Sequence, residues 1–400
     1  MTDPSATATP GSDRRSARPK LLFLITEDWF FYGARLALAR AARDAGFDVV
    51  VATRVGDHGD RIRNEGFALR PLAWRRSGDG PFGALRVIGE IARLYRRERP
   101  DIVHHAALKA IVFGAIGARL AFPLGTGAPA RVAAVMGLGA VLSRLAARPG
   151  ARFHPLAVVL RRVMRSGRVT VENPDNRATL ARLGVDPARI AVIRGTGVDA
   201  ERFLPLPAPP DPTVAAALVG RMLKSKGVLD AAAAVRMLRA GGLDIELLLA
   251  GAPDPDNRDS LSEAELAVLA AEPGVNWLGR VADVRSVWAR AAIAVFPSTY
   301  GEGVPTALLE AAACGRPIVA ADMPGCREIA VPGETGILVP PGDVAALAAA
   351  IAALARDPAL CQRLGSAGRV LVERGFTQEI VSQQTLALYR AILADRGRRR

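Results

Sequence analysis

Aromatic residues are scarce, making up 5% of the 400 positions. Platforms that stack bases are built from such side chains, and no recognised nucleic-acid motif accompanies the positive charge, so nucleic acid is not expected as a partner. Cysteine is scarcer still: Cys314, Cys326 and Cys361 are odd in number and lack metal-type spacing. That excludes a disulfide framework as an expectation and suits a reducing cytoplasm. No uninterrupted apolar run reaches the roughly 18 residues of a membrane span; the nearest, Ala110 to Leu124, is short and contains Arg119. Met1 to Pro19 has no apolar core of the signal-peptide kind and reads as a disordered leader.

One stretch lacks acid altogether. From Ile102 to Val171 there is no Asp or Glu, while Lys109, Arg119, Arg131, Arg144, Arg148, Arg152, Arg161, Arg162, Arg165 and Arg168 are basic, in a chain of net charge +14. Within it, Phe153, Leu156, Val158, Leu160 and Val163 alternate with arginines, a pattern that fits an amphipathic helix lying at an interface. The same pattern fits a solvated basic face. Membrane phospholipid or an anionic lipid-linked substrate is the expected partner of this span, in a protein expected to be cytoplasmic and able to lie peripherally at the inner face of the plasma membrane.

What is present is an alternation of apolar strand-like runs with helical patterns, the mark of parallel α/β sheets. Length suggests two or three domains. In the first half, strands are expected at Leu21–Thr26, Asp48–Ala52, Ala68–Leu72, Asp101–His105, Val132–Met136, Val169–Glu172 and Ile190–Ile193, with helices such as Ala34–Ala45, Phe82–Arg97 and Pro174–Leu183, the last capped by Asn173. Five prolines between Phe203 and Pro212 then exclude a helix or central strand and mark a linker. A second alternation follows, with strands at Val214–Val219, Ile245–Ala250, Val275–Leu278, Ile293–Phe296, Pro317–Ala320 and Gly336–Val339. The expected organisation is α/β throughout: a doubly wound domain over 20–203, a linker over 204–212, and a second doubly wound domain over 213–376. A helix over 377–395 is long enough to return to the first domain, before a basic tail over 396–400.

Two groups of residues carry chemistry. Glu302 and Glu310 straddle a passage from strand to helix, where Gly301 and Gly303 permit a tight loop and Pro305 suits a first helical turn. Open α/β sheets bind ligands at such strand ends. Acidic groups there address hydroxyls, and Glu310 is placed to hold a vicinal diol such as a ribose. Upstream, Gly220-Arg221 ends one strand and Lys226 opens the next helix, so the two cations can grip a diphosphate from two sides. The backbone N–H groups of Gly303 and Val304 are expected to be free for a sugar or phosphate. In the first half, Glu27 and Asp28 follow strand one and face the expected cleft, either binding hydroxyls or capping the next helix; His105, at a strand end, is either a site residue or a satisfied, partly buried histidine. The turn Thr26 to Gly33 has no G-x-G-x-x-G loop, which argues against a nicotinamide enzyme. No Asp-x-Asp motif with a metal-binding context stands out, and no metal or other cofactor is expected.

Taken together, Gly197-Val198-Asp199, Gly220-Arg221 with Lys226-Gly227, Leu248-Leu249-Ala250-Gly251, the Glu302-to-Glu310 signature, Cys314-Gly315-Arg316-Pro317, Pro324-Gly325-Cys326-Arg327-Glu328 and Gly336 to Asp343 resemble the retaining glycosyltransferases of family 4. Asp101 to Lys109 and Gly137-Leu138-Gly139 are similar to the bacterial branch that glycosylates undecaprenyl-diphosphate-linked sugars. The resemblance implies the GT-B fold, two Rossmann-like domains facing across a cleft. It implies transfer of a sugar from a nucleotide-sugar donor, UDP being the base put first, to a glycan or lipid-linked saccharide acceptor. Donor contacts are then expected at Gly33, Gly220, Arg221, Lys226, Gly251, Arg280, Glu302, Gly303, Val304 and Glu310, with Arg221, Lys226 and Glu302 in catalysis. Acceptor contacts are expected at Glu27, Asp28, Arg35, His105 and Lys109. The chain departs from the family pattern in lacking a histidine within Val132 to Gly137 and another just before Arg35. An epimerase or hydrolase of the same architecture, or a non-catalytic carbohydrate-binding subunit, are the rival readings.

Overall fold

The computed structural model describes residues 18–74, 80–209 and 213–398. Nearly all of the expected leader, residues 210–212 of the linker and the last two residues of the expected tail lie outside them. Among the described residues the chain forms two sheets whose paired strands all run parallel. The first contains β1 (Lys20–Glu27), β2 (Asp48–Arg54), β3 (Ala68–Pro71), β4 (Ile102–Ala106), β5 (Ala130–Val135), β6 (Arg168–Val171) and β7 (Ile190–Val192), in the order β3-β2-β1-β4-β5-β6-β7. The second contains β8 (Val214–Val219), β9 (Ile245–Ala250), β10 (Val275–Gly279), β11 (Ile293–Phe296), β12 (Ile318–Ala321) and β13 (Gly336–Val339), in the order β10-β9-β8-β11-β12-β13.

Helices cover both faces of each sheet, which is why these strands read as unbroken apolar runs rather than alternating ones. Leu21 to Ile25 are fully buried, and so are Ala216, Ala217 and Leu218 in the second sheet. Strand order reverses between β1 and β4 and again between β8 and β11. Outside the carboxyl ends at such reversals lie the crevices that bind ligands in this architecture.

Helix starts obey local chemistry. Asn173 caps the helix Pro174–Arg182 by accepting the Asn176 N–H at 2.8 Å, with Pro174 at the first position. One expectation fails: the helix expected from Ala34 instead begins at Asp28, directly after β1, and is interrupted at Arg35, giving helices Asp28–Ala34 and Leu36–Asp44. Phe31 drives this early start, because a helix there buries its ring fully against Phe23 and Phe67.

The last three helices, Val344–Arg356, Pro358–Gly375 and Gln378–Gly397, follow the final strand. The last of them leaves the second domain and packs on the first: the Tyr389 hydroxyl meets His104 Nδ1 at 2.7 Å, and Arg396 donates to the Ala128 carbonyl at 2.7 Å. Among the described residues no single helix is long and apolar enough to cross a membrane.

Candidate active site

In the second domain, Gly220 and Arg221 directly follow β8, and a short turn, Lys224–Lys226, precedes the helix Val228–Ala240. Gly227 joins turn to helix with φ of 74°, and a Cβ there would lie 2.3 Å from the Pro297 carbonyl oxygen, so only glycine fits. Gly251, after β9, is equally constrained: a Cβ would fall 1.7 Å from the Gly220 carbonyl. The Lys226 ammonium is ion-paired with the Glu302 carboxylate and sits 4.7 Å from the centre of the Phe296 ring. Arg221 Nη1 pairs with Asp254 Oδ2 at 2.5 Å. Asp259 fixes the turn by accepting the Ser225 N–H at 2.9 Å, and the Ser225 carbonyl accepts from Thr299 N at 2.9 Å.

These side chains line two adjoining cavities that share Arg221. One, of about 390 Å³, is walled by Arg221, Lys226, Tyr300 and Glu302; the other, of about 500 Å³, by Gly220, Arg221, Gly251, Arg280 and, from the first domain, Trp29 and His58. The second therefore lies between the domains, and both have the size of a small-molecule site. Glu310 lines neither. It is partly buried in the helix Thr306–Ala313, and burial pushes its carboxyl up to about 8, with Arg202 pulling it down and Asp283 adding to the rise.

The loop after β11 differs from expectation. Gly303 and Val304 are buried, and the Val304 N–H donates to Glu172 Oε2 of the first domain at 2.9 Å. That amide is therefore taken, not free, because the first domain's strand ends press directly on the loop.

The first-domain candidates are mostly committed to structure. Asp28 is buried and accepts from the N–H groups of Trp29 at 2.7 Å, Gly56 at 2.6 Å and His58 at 3.0 Å; it ties down the turn after β2 rather than facing the cleft. Glu27 gives one oxygen to Arg54 at 2.9 Å, while its buried Oε1 has no partner among the described residues. His105 is a core residue, a correction to its expected role at the site. It is 1% exposed, its Nε2 lies 2.9 Å from the Tyr95 hydroxyl, and burial lowers its pKa to about 3, with Arg131 adding to the fall. Its neighbour His104 points to the opposite side of β4, toward Arg35 and Glu172. Arg35 is buried, 3.8 Å from Glu172 Oε1. Lys109 lies beside the rings of Trp74 and Phe113, at 5.9 and 5.6 Å. Gly33 is exposed on the helix Asp28–Ala34.

Sequence reasoning passed over Glu172, His104 and Asp254. The signal for Asp254 was legible, since Asp254-Pro255-Asp256 directly follows the Gly251 strand end. Glu172 and His104 carry no local signal, because their partners lie far along the chain.

Residues 20–154 match the family model "Glycosyl transferase 4-like", and residues 214–357 match "Glycosyl transferases group 1". Alpha-maltose-1-phosphate synthase of Mycolicibacterium smegmatis is 33% identical over 52% of the chain and 59% of its own length, so the chain spans little more than half of that relative. N,N'-diacetylbacillosaminyl-diphospho-undecaprenol alpha-1,3-N-acetylgalactosaminyltransferase of Campylobacter jejuni is 25% identical over 91% of the chain and 96% of its own length. The structure of Anabaena HepE in complex with UDP and glucose superposes with a TM-score of 0.74 at 20% identity, covering 93% of the chain and 100% of HepE, a likeness of fold. Two Rossmann-like parallel-sheet domains joined across a cleft, matched in both halves, place the chain in the glycosyltransferase group 1 and glycosyltransferase 4-like families, with the GT-B fold.

Proposed function

We propose that the protein transfers a sugar, with retention at the anomeric carbon, from a nucleotide-diphosphate donor to a glycan acceptor carried on a lipid diphosphate. The observation that carries this reading is the placing of Arg221 and Lys226 around one crevice at the β8 end, opposite Glu302. In the reaction the bond from the anomeric carbon to the diphosphate oxygen breaks, a bond to the acceptor oxygen forms, and the acceptor proton passes to the departing diphosphate. The diphosphate takes the electron pair, and negative charge grows where the two cations stand. Charged hydrogen bonds of this kind contribute roughly 1.5–3 kcal/mol each. Lys226 exchanges Glu302 for phosphate, which frees Glu302 to meet sugar hydroxyls. Arg221 makes the corresponding exchange with Asp254, and Arg280 adds charge at the rim of the cleft. Glu310, which lines neither cavity, keeps the ribose as its expected partner. The two cations would serve in place of a divalent ion.

The lipid-linked acceptor is supported by the named activity of the Campylobacter relative and by the surface of the acid-free span. There the helix Pro155–Met164 leaves Leu156, Val158 and Val159 exposed, with Phe153 just before it 70% exposed and arginines on the same segment. Such a face suits an anionic membrane surface at the cytoplasmic side.

The test is product analysis with UDP-, GDP- and ADP-sugars, with and without a polyprenyl-diphosphate-linked saccharide. Acceptor-dependent nucleotide release and an α-linked product from an α-linked donor are expected. Release without acceptor would make the protein a hydrolase, and no release from any donor would overturn the reading.

A further inference from the structure

Glu172 directly follows β6, is 7% exposed, and reaches across the domain boundary to the Val304 N–H. The contact is close enough to dictate sequence: a Cβ on Gly303 would fall 1.7 Å from Glu172 Oε2 and 2.0 Å from the Met136 carbonyl oxygen. On its other flank, the Gly303 carbonyl lies against Gly325, where a Cβ would meet it at 1.3 Å. Glycine at 137 belongs to the same seam, since a Cβ there would stand 3.2 Å from the Gly301 carbonyl oxygen. The loop that carries Glu302 is thus held between the two domains with no room for a side chain at position 303.

We propose that Glu172 is a positioning residue: its carboxylate, backed by Arg35, clamps the Gly301–Val304 loop to the first domain and so fixes Glu302 opposite Lys226. An ionised acceptor makes a stronger hydrogen bond than a neutral one. Glu172 therefore grips hardest when charged. The groups around it are Arg35 at the break between the first two helices, His104 from β4, Glu302 from the loop itself and, behind Arg35, Tyr389 from the last helix. His104 is held neutral by burial, and so is Tyr389. Arg35 and the Val304 N–H favour the charged carboxylate, Glu302 opposes it, and burial sets the balance by pushing Glu172 up to about 7. The clamp consequently loosens as pH falls through neutrality. This inference rests on the proposed donor site only in naming Lys226 and Glu302 as the pair that is served.

The test is amide hydrogen exchange of the full chain without ligand, read on peptides spanning residues 299–305 and corrected for the intrinsic pH dependence of exchange. Wild-type protection should weaken as pH drops from about 8 to about 6. Glu172→Gln should match the low-pH wild-type level and show no step. Glu172→Ala should exchange about ten- to a hundredfold faster, the value of one charged hydrogen bond, with β8, β9 and β11 unchanged. A Gln variant that keeps the wild-type step overturns the proposal, and so does an Ala variant with unaltered protection. If Ala disturbs the whole chain, the Gln comparison decides. A parallel titration with UDP separates the two readings: failure of UDP to bind while exchange behaves as described counts against a UDP-sugar donor site and not against the clamp.

Discussion

The two domains share one winding plan and use it for opposite purposes. Outside the ends of β8 and β11 the crevice is open, and cations paired to single carboxylates can change partners. In the first domain the space between β4–β6 and the helix break at Arg35 has closed to a cavity of about 20 Å³, lined by Arg35, His104 and Glu172. The winding is shared; the side chains decide whether a space remains a site. Where charge stays near water it can be lent to a ligand, and where it is buried it must be spent on neighbours.

The largest expected effect sharpens this contrast. Lys226→Ala should lower turnover about 10²- to 10³-fold, as for loss of one donor to developing charge, with the fold retained in circular dichroism. Near-normal turnover, measured with saturating donor, would remove the distinction between the two crevices. In the first domain the equivalent damage should fall on stability. Gly114→Ala drives a Cβ to 2.3 Å from His105 Nε2 and should cost about 1–3 kcal/mol, the usual toll of overpacking, in denaturant unfolding, while nucleotide affinity is retained.

Acidity offers a gentler probe. Glu310 has its folded pKa raised to about 8 from the ordinary carboxyl value of 4.5. Between those values the folded chain holds a proton that the unfolded chain has lost, so raising the pH through this window must lower stability. Glu172 acts in the same sense up to about 7. The melting temperature should therefore fall less steeply from pH 5 to pH 8 in Glu310→Gln than in the wild type, and an unchanged slope would contradict the burial of that carboxyl. The smallest effect is expected at the basic face: Arg162→Ala should weaken binding to anionic vesicles about fivefold, roughly 1 kcal/mol per cation near such a surface, and less at high salt. Indifference to the substitution in sedimentation with phosphatidylserine vesicles would leave the face merely solvated.

The sheets were legible because buried parallel strands are apolar runs bounded by turns. Each expected strand lies within two residues of its observed bounds, from β1 through β13. The helix at Asp28–Ala34 was not, since Trp29-Phe30-Phe31-Tyr32-Gly33 resembles neither an amphipathic stripe nor a strand, and its reason is tertiary. The same holds for the histidines. Adjacent residues of a strand face opposite sides, so His104 and His105 look equivalent in sequence while one meets Tyr389 and the other Tyr95. Arg221, Lys226 and Glu302 could be read together because each stands at a strand end or helix start. Glu172 could not, since its bond to Val304 spans 132 positions.

The claim that the second domain holds a nucleotide diphosphate through its two cations is tested most directly by isothermal titration of UDP, GDP and ADP into the wild type, Lys226→Ala and Arg221→Ala. The expected result is binding of one nucleotide by the wild type, weakened at least about tenfold in each variant, in line with one lost charged hydrogen bond. Equal affinity in all three proteins, or no binding of any nucleotide to the wild type, would contradict it.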